Sequence, residues 1–537
     1  MDGHRRSLSW GAWRLATYAV PLAFLALFFV YPLASILERG LTTGGSLASP
    51  LDVLTDPLTR DVVWFTVWQA LASTALTFAV GLPAAYVLGR YSFPGRGVVR
   101  ALVIVPFVLP TVVVALAFLA ILPTGFDRGW VAILVAHAFF NVAVVVLIVS
   151  TFWAGLDRRV SEAAATLGAG PWRAFREITL PLLAPGLAAA GAIVFLFSFT
   201  SFGIVLILGG PARSTIETEI YNQAVRIYDL RAAALLSLVQ LVCVGLAVWV
   251  TLRLEARAGG YGGIRAEHDV LRAPHTTRDR AVLIGSLGLL AAFIALPLAV
   301  LVERSLSVRG GHSLDAYREL ARPTSVLLST PYAAVWNSIV YAAAATLIAV
   351  VVGGLASFAV ADSRGPRALD VLLMLPLGAS AVMLGFGFVI AFDRAPIDFR
   401  SAPWIVPVVQ ALVAIPFVVR IVAPTLRAID ERQREAAAVL GASPGRVRRE
   451  IDFPIVGRAL TVAAGFAFAI SLGEFGATVF LARPDRPTLP VAIFRFLSRP
   501  GELNAAQAYA LAVLLMGVTV ISILAVGRLR LRRAGWF

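Results

Sequence analysis

Apolar stretches of about 20 residues recur along the whole chain, beginning with the run from about Leu15 to Leu37, and charge gathers in the short segments between them. Wound as a helix at 1.5 Å per residue, such a stretch crosses the ~30 Å hydrocarbon layer of a bilayer. Inside lipid every backbone N–H and C=O must be paired within the chain, so a series of such stretches points to a helical bundle. The composition agrees: 59% of the 537 residues are hydrophobic and 14% are charged, far less charge than a soluble chain of this length carries. The sequence therefore reads as an all-α polytopic membrane protein with about 12 transmembrane helices. Their expected positions are near 15–37, 62–89, 99–122, 130–153, 183–209, 232–253, 281–303, 333–361, 368–392, 404–427, 457–481 and 506–527.

The net charge of +15 comes entirely from Arg, since the chain has no Lys. A nucleic-acid groove needs a basic stripe interleaved with stacking aromatics; here the Arg residues sit in the loops, where they set topology, and no nucleic-acid partner is expected. With the N-terminus in the cytoplasm, about 29 Arg fall inside and about 16 outside, the asymmetry that governs insertion. Both termini are thus expected to be cytoplasmic. Lone Cys243 forms neither an internal disulfide nor a metal cluster. The N-terminal apolar run is too long for a signal h-region and reads as a retained first span.

The chain repeats itself. Glu162–Tyr221 aligns without a gap on Glu435–Phe494 at an offset of 273, with about 24 of 60 positions identical. The shared residues include Gly168/Gly441, Pro181/Pro454, Ser198/Ser471, Gly203/Gly476 and Arg213/Arg486, types that lipid burial does not select. Six spans separate equivalent points, so the two six-helix repeats run parallel, a plan on which transport pathways are built. Residues 1–254 form the first half and 281–537 the second. Between them, "EARAGGYGGIRAEHDVLRAPHTTRDR" is Gly-rich, charged and aperiodic, and reads as a cytoplasmic linker over 255–280.

Two loops, about 155–181 and 428–454, carry the charged parts of the repeat: "SEAAATLGAGPWRAFREITLP" and "REAAAVLGASPGRVRREIDFP". In the first, Ser161 caps a short helix of strong helix formers. Gly168 then supplies a left-handed residue just past its end, Pro171 opens a second helix, and Pro181 precedes the next span. The second copy repeats this with Gly441, Pro444 and Pro454. Glu-Ala-Ala followed by Gly and then I-x-x-P resembles the cytoplasmic loop of permease subunits in binding-protein-dependent ABC importers. The resemblance implies a type I permease fold and assigns ATPase coupling to Glu162, Ala163, Ala164 and Gly168, and to Glu435, Ala436, Ala437 and Gly441. It further implies a homodimeric ABC ATPase with one socket for each copy, an extracytoplasmic solute-binding protein, and a place in the bacterial cytoplasmic (inner) membrane. The chain itself is then a translocation subunit, not an enzyme, with no cofactor of its own. Without Lys it cannot hold the G-x-x-x-x-G-K-[ST] loop, so ATP and Mg belong to the partner.

For the solute pathway, "ISLGEFGATVF" spaces Ser471, Glu474 and Thr478 along one face of a helix, with Ser198 and Ser201 at the matching positions of the first repeat. A carboxylate within a span costs at least ~2.5 kcal/mol unless it meets water, a partner or a substrate. Glu474 is therefore either an attractor for a cationic solute or a structural group, paired with an Arg such as Arg420 or held by a hydrogen-bonded polar contact. His137 and Asn141 in the fourth span, and Gln69, Ser73 and Thr77 in the second, either line the path or bond helix to helix. Phe202 and Phe475, each followed by Gly, are candidates for a gate. Glu217 and Glu219, in a stretch too polar to span, face either the binding protein or water.

"WFTVWQALASTALTFAVGLPAAY", "AHAFFN", "LGGPARSTIETEIY" and "SLGEFGATVFLARPDRPTLPVAIFRFLSRPG" are similar to the fused permeases of thiamine and iron(III) importers. Thiamine is preferred on "AHAFFN", on the "TIETEIY" stretch and on the single-chain layout; iron(III) shares much of the pattern. An ion-coupled secondary carrier would share twelve spans in two halves but would need no matched sockets for a motor. An intramembrane enzyme would need convergent acids or a nucleophile with its base, and no such cluster is visible.

Overall fold

The computed structural model describes residues 15–43, 46–47, 55–156, 164, 166–210, 213–258, 271–308, 310–361, 372–373, 375–376, 379–394, 397–399 and 402–534. The first half contains α1 (Leu15–Leu41), α2 (Pro57–Arg90), α3 (Arg96–Val108), α4 (Thr111–Ile121), α5 (Trp130–Ala154), α6 (Trp172–Phe199), α7 (Gly203–Leu208), α8 (Ile216–Tyr221) and α9 (Leu230–Ala258). The second contains α10 (Thr277–Leu306), α11 (Pro331–Ala361), α12 (Ala381–Ala391), α13 (Ile405–Arg427), α14 (Glu431–Val439), α15 (Gly445–Gly473), α16 (Thr478–Leu481), α17 (Leu489–Leu497) and α18 (Glu502–Ala534). Local chemistry sets several of these boundaries. Asp56 accepts from the Thr59 N–H at 3.1 Å, with Pro57 in the first turn of α2. Thr276 and Asp279 close a reciprocal capping box on α10, which satisfies N–H groups that a helix start leaves unpaired.

Ten helices among the described residues are long and apolar enough to span, or eleven if α3 and α4 form one broken span. The count of twelve is not reached. The expected span at 368–392 lies partly outside the described residues, and its described helix is the 11-residue α12. The 99–122 span is bent by 96° between α3 and α4. Pro110 there has no N–H to give and holds Leu109 extended, at ψ 138°, as a residue before proline prefers.

Two other expected spans, 183–209 and 457–481, are also not continuous helices. The first stops at Phe199 and restarts at Gly203; the second stops at Gly473 and restarts at Thr478. The interrupting residues are Thr200, Ser201 and Phe202 before Gly203, and Glu474 to Ala477 around Gly476. Ser, Thr and Gly are weak helix formers, and the two breaks fall within two residues of the same place in the repeats.

The chain packs as two compact units: residues 50–219 with 239–307, and residues 1–49 and 220–238 with 308–537. Each therefore joins the body of one sequence half to the leading span of the other. In the first unit α2 lies along α5, α6 packs against both, and α10 covers α4 and α2. In the second, α11 lies along α13, α15 packs against both, and α1 covers α12. The same close crossing occurs in each. A Cβ on Gly81 would stand 3.0 Å from the Val145 side chain, and one on Gly353 would stand 3.0 Å from that of Val418. Small residues at such crossings let helices approach closely enough for dispersion to hold them where lipid removes the hydrophobic drive.

Candidate coupling loops and solute-pathway residues

The loop after α13 folds as read from sequence. Asp430 caps α14 by accepting from the Arg432 N–H at 3.0 Å. Gly441 takes φ +80°, and the Ala442 N–H reaches back to the Ala437 carbonyl at 2.9 Å. That six-to-one bond is the Schellman stop, which needs a left-handed residue that glycine supplies without strain. Gly168 does the same in the first loop, at φ +84° with Ala169 N–H to Ala164 O at 3.0 Å. Glu162 and Ala163 lie outside the described residues; Ala164 is buried. Glu435 and Ala436 are exposed and Ala437 is half-buried. Past each stop, the chain enters the next membrane helix through a wide π turn, Phe175–Thr179 in the first loop and Arg448–Asp452 in the second.

The loops also present apolar groups to solvent. Leu167 is 88% exposed and its repeat partner Leu440 87%, with Val439 beside it at 87%. Trp172, 72% exposed, stacks on Phe175 at 5.8 Å between ring centroids. The equivalent positions in the second loop hold Gly445 and Arg448. The two loops thus share a leucine at the helix end but differ in the flank, aromatic in one and basic in the other. Arg434 anchors the second loop to the root of α15 by a 2.9 Å ion pair with Asp452.

The candidate pathway residues fall into two kinds. His137 and Asn141 are fully enclosed between helices. The Ser73 hydroxyl bonds His137 Nδ1 at 3.1 Å, Asn141 Nδ2 donates to Ser198 Oγ at 3.3 Å, and Gln69 Nε2 donates to the Ser198 carbonyl at 2.8 Å. Together they tie α2, α5 and α6. Gln69 Oε1, His137 Nε2, Asn141 Oδ1 and Ser201 Oγ are buried with no partner among the described residues. In the second unit Ser471 Oγ and Gln410 Oε1 share that condition. Gln410 is the repeat partner of His137; the 273 offset identifies it, yet a glutamine in an apolar run gave no signal by itself.

Ser201, Phe202, Glu474, Phe475 and Thr478 form the second kind, at the helix breaks. Glu474 is 6% exposed and does not share a continuous helical face with Ser471 and Thr478, because α15 ends one residue before it. Its carboxylate accepts from the N–H groups of Ala477 at 2.7 Å and Thr478 at 3.0 Å, while the Thr478 hydroxyl donates to the Glu474 carbonyl at 2.9 Å. The acid therefore caps α16, where a helix start exposes unpaired donors. Phe475 packs on Phe494 at 5.6 Å. Gly385 of α12 lets the Ala477 backbone approach to where a Cβ would stand 2.6 Å from its Cα. Glu217 and Glu219 are buried, not surface groups as read from sequence; Glu217 accepts from Gln240 Nε2 at 2.9 Å.

A duplicated helical body with broken spans and two loops ending in exposed apolar groups defines a membrane translocation subunit. Residues 81–258 match the family described as "Binding-protein-dependent transport system inner membrane component". The chain is 28% identical to the thiamine transport system permease protein ThiP of Brucella abortus (strain 2308), over 97% of this chain and 96% of that protein. It is 29% identical to ThiP of Escherichia coli (strain K12), over 85% and 88% of the two chains. With the sulfate transport system permease protein CysT of the same strain it shares 31% identity, over 44% of this chain and 91% of that one. The chain belongs to this family of inner-membrane components. It is a permease subunit of an ABC importer, working with an ATPase and a solute-binding protein, and not itself an enzyme.

Proposed function

We propose that this chain carries thiamine from an external binding protein to the cytoplasm by alternating access. The observation that supports the substrate is the near end-to-end likeness to permeases named for thiamine, covering 97% of this chain and 96% of the Brucella abortus protein. Both loops are read as cytoplasmic sockets, one for each copy of a homodimeric ATPase, with Glu162, Ala163, Ala164 and Gly168 in one and Glu435, Ala436, Ala437 and Gly441 in the other. Exposed Leu167 and Leu440 give each socket an apolar contact of the kind that anchors interfaces when desolvated. Both chain termini then lie in the cytoplasm, and ATP with Mg acts on the partner.

Within each repeat, the helix break is read as the place where the solute is handled. Broken helices serve this purpose in transporters because they free backbone groups and helix ends at depth in the membrane. Glu474, Phe475, Ser471 and Thr478 take that role in one repeat; Ser201, Phe202 and Ser198 take it in the other. The negative charge on Glu474 suits a cation such as thiamine. Asn141 supports the break through Ser198, while His137 is held by Ser73 of α2.

The test is uptake into proteoliposomes holding the chain, its cognate ATPase and its cognate binding protein. Thiamine accumulation that requires ATP and exceeds that of iron(III) or sulfate is expected. ATP-driven import of iron(III) or sulfate with no response to thiamine would overturn the substrate reading.

A further inference from the structure

The last residues of the inter-half linker are fastened to the end of α2. Tyr91 follows the last residue of that helix in an extended conformation and is 1% exposed. It forms an isolated parallel bridge with Arg272: the Ser92 N–H donates to the Arg272 carbonyl at 2.8 Å, and the Arg272 N–H to the Arg90 carbonyl at 3.1 Å. The side chains close the same joint. Tyr91 Oη donates to Asp279 Oδ1 at 2.7 Å, Arg272 Nη2 donates to the same oxygen at 3.0 Å, and the guanidinium lies 5.3 Å from the Tyr91 ring centroid. Asp279 Oδ2 meanwhile accepts from the Thr276 N–H in the capping box of α10. Burial and the bond to Asp279 push the Tyr91 phenol up to about 12, so it stays a donor across physiological pH.

This joint continues inward to the root of the first coupling loop. The Tyr91 ring meets Tyr86 edge-on at 6.0 Å, and Tyr86 meets Trp153 edge-on at 5.1 Å. Gly89 brings α2 so close that a Cβ there would stand 2.6 Å from that of Trp153. Trp153 is the penultimate residue of α5, immediately before the loop. Counted from the matched crossings at Gly81 and Gly353, the second repeat holds Phe358 for Tyr86 and Ala361 for Gly89, and at the 273 offset it holds Leu426 for Trp153. There Phe358 meets Phe453, and Arg427 Nη2 donates to the Val360 carbonyl at 3.0 Å.

We propose that Tyr91, Arg272 and Asp279 form a clasp through which the end of the linker positions the first coupling loop, acting by way of Tyr86 and Trp153. These are positioning residues: none lies in the loop itself. The clasp belongs to one repeat because the linker enters only there; it joins the leading span of the second half to the body of the first. The inference rests on reading that loop as the ATPase socket, and its test is arranged to stand without the substrate.

The full chain in nanodiscs is treated with trypsin, as wild type, Tyr91→Phe and Arg272→Gln. Exposed Arg173 and Arg176 report on the first loop and exposed Arg446 and Arg449 on the second, so each molecule carries its own control. In either variant, cleavage at Arg173 and Arg176 is expected to quicken about tenfold, and at Arg446 and Arg449 by less than about twofold, as for local rather than global opening. The double variant should match the singles, since the residues act as one unit. Equal acceleration in both loops, or no change in either, overturns the clasp. With the cognate ATPase added, thiamine carried per ATP hydrolysed should fall in both variants; an unchanged ratio would also overturn the positioning role. A wild type that moves no thiamine contradicts the substrate reading alone, because the protease ratio is measured without it.

Discussion

Glu474 shows how far a single residue can be read before its backbone is known. An acid within an apolar run had to have a reason, and the sequence offered a cationic solute, an Arg partner or a hydrogen-bonded polar contact. In the structure its two oxygens meet the N–H groups of Ala477 and Thr478, so the carboxylate holds a helix start that would otherwise be bare. Glu474→Ala removes both bonds and is expected to cost about 1–2 kcal/mol, seen as a lower Tm in detergent. Glu474→Gln keeps one acceptor and turns the other oxygen into an NH2 donor facing a backbone N–H, so its Tm should also fall, and thiamine uptake per folded molecule falls further if the charge also serves the solute. Equal uptake by the Gln variant and wild type would leave Glu474 as a cap only. Its spacing with Ser471 and Thr478 misled because such spacing assumes an unbroken helix.

At the scale of elements, the coupling loops were the most legible part of the chain. Their helix formers, stop glycines and following prolines act locally, and local rules written in the sequence suffice to fold them. Gly441 sits at φ +80° with open space around it, so a larger side chain there meets conformational strain rather than a clash. Gly441→Val is expected to cost about 1–2 kcal/mol locally, to leave insertion intact and to lower uptake per ATP hydrolysed. Normal coupling in that variant would count against the socket. Trp172→Ala should weaken copurification of the ATPase about tenfold, the size of a truncated interface anchor, with little effect on Tm because the ring is 72% exposed. The broken spans were less legible. Hydropathy registers the apolar run and passes over a Ser, a Thr or a Gly within it, although Pro110 and the paired Gly203 and Gly476 marked where the helices part.

For the whole molecule, the repeat at offset 273 revealed the duplication but not which span joins which body. Equivalence along the chain comes from sequence; partnership between helices comes from side-chain fit, such as the Gly387 face of α12 against Pro32 and Ile36 of α1. The buried Tyr91–Arg272–Asp279 joint was equally hidden, since its members are separated by up to 188 residues. The mechanical plan nevertheless depends on one arrangement, two matched loops on the same membrane face that each take an ATPase copy. The most direct test places a photoreactive cysteine adduct at Leu167→Cys or Leu440→Cys in a Cys243→Ser chain and cross-links the assembled importer in membranes. The expected result is an ATPase adduct from either position and two ATPase copies per chain when both are present. Labelling of one position solely by an impermeant thiol reagent from the outer face, with no ATPase adduct, would contradict it.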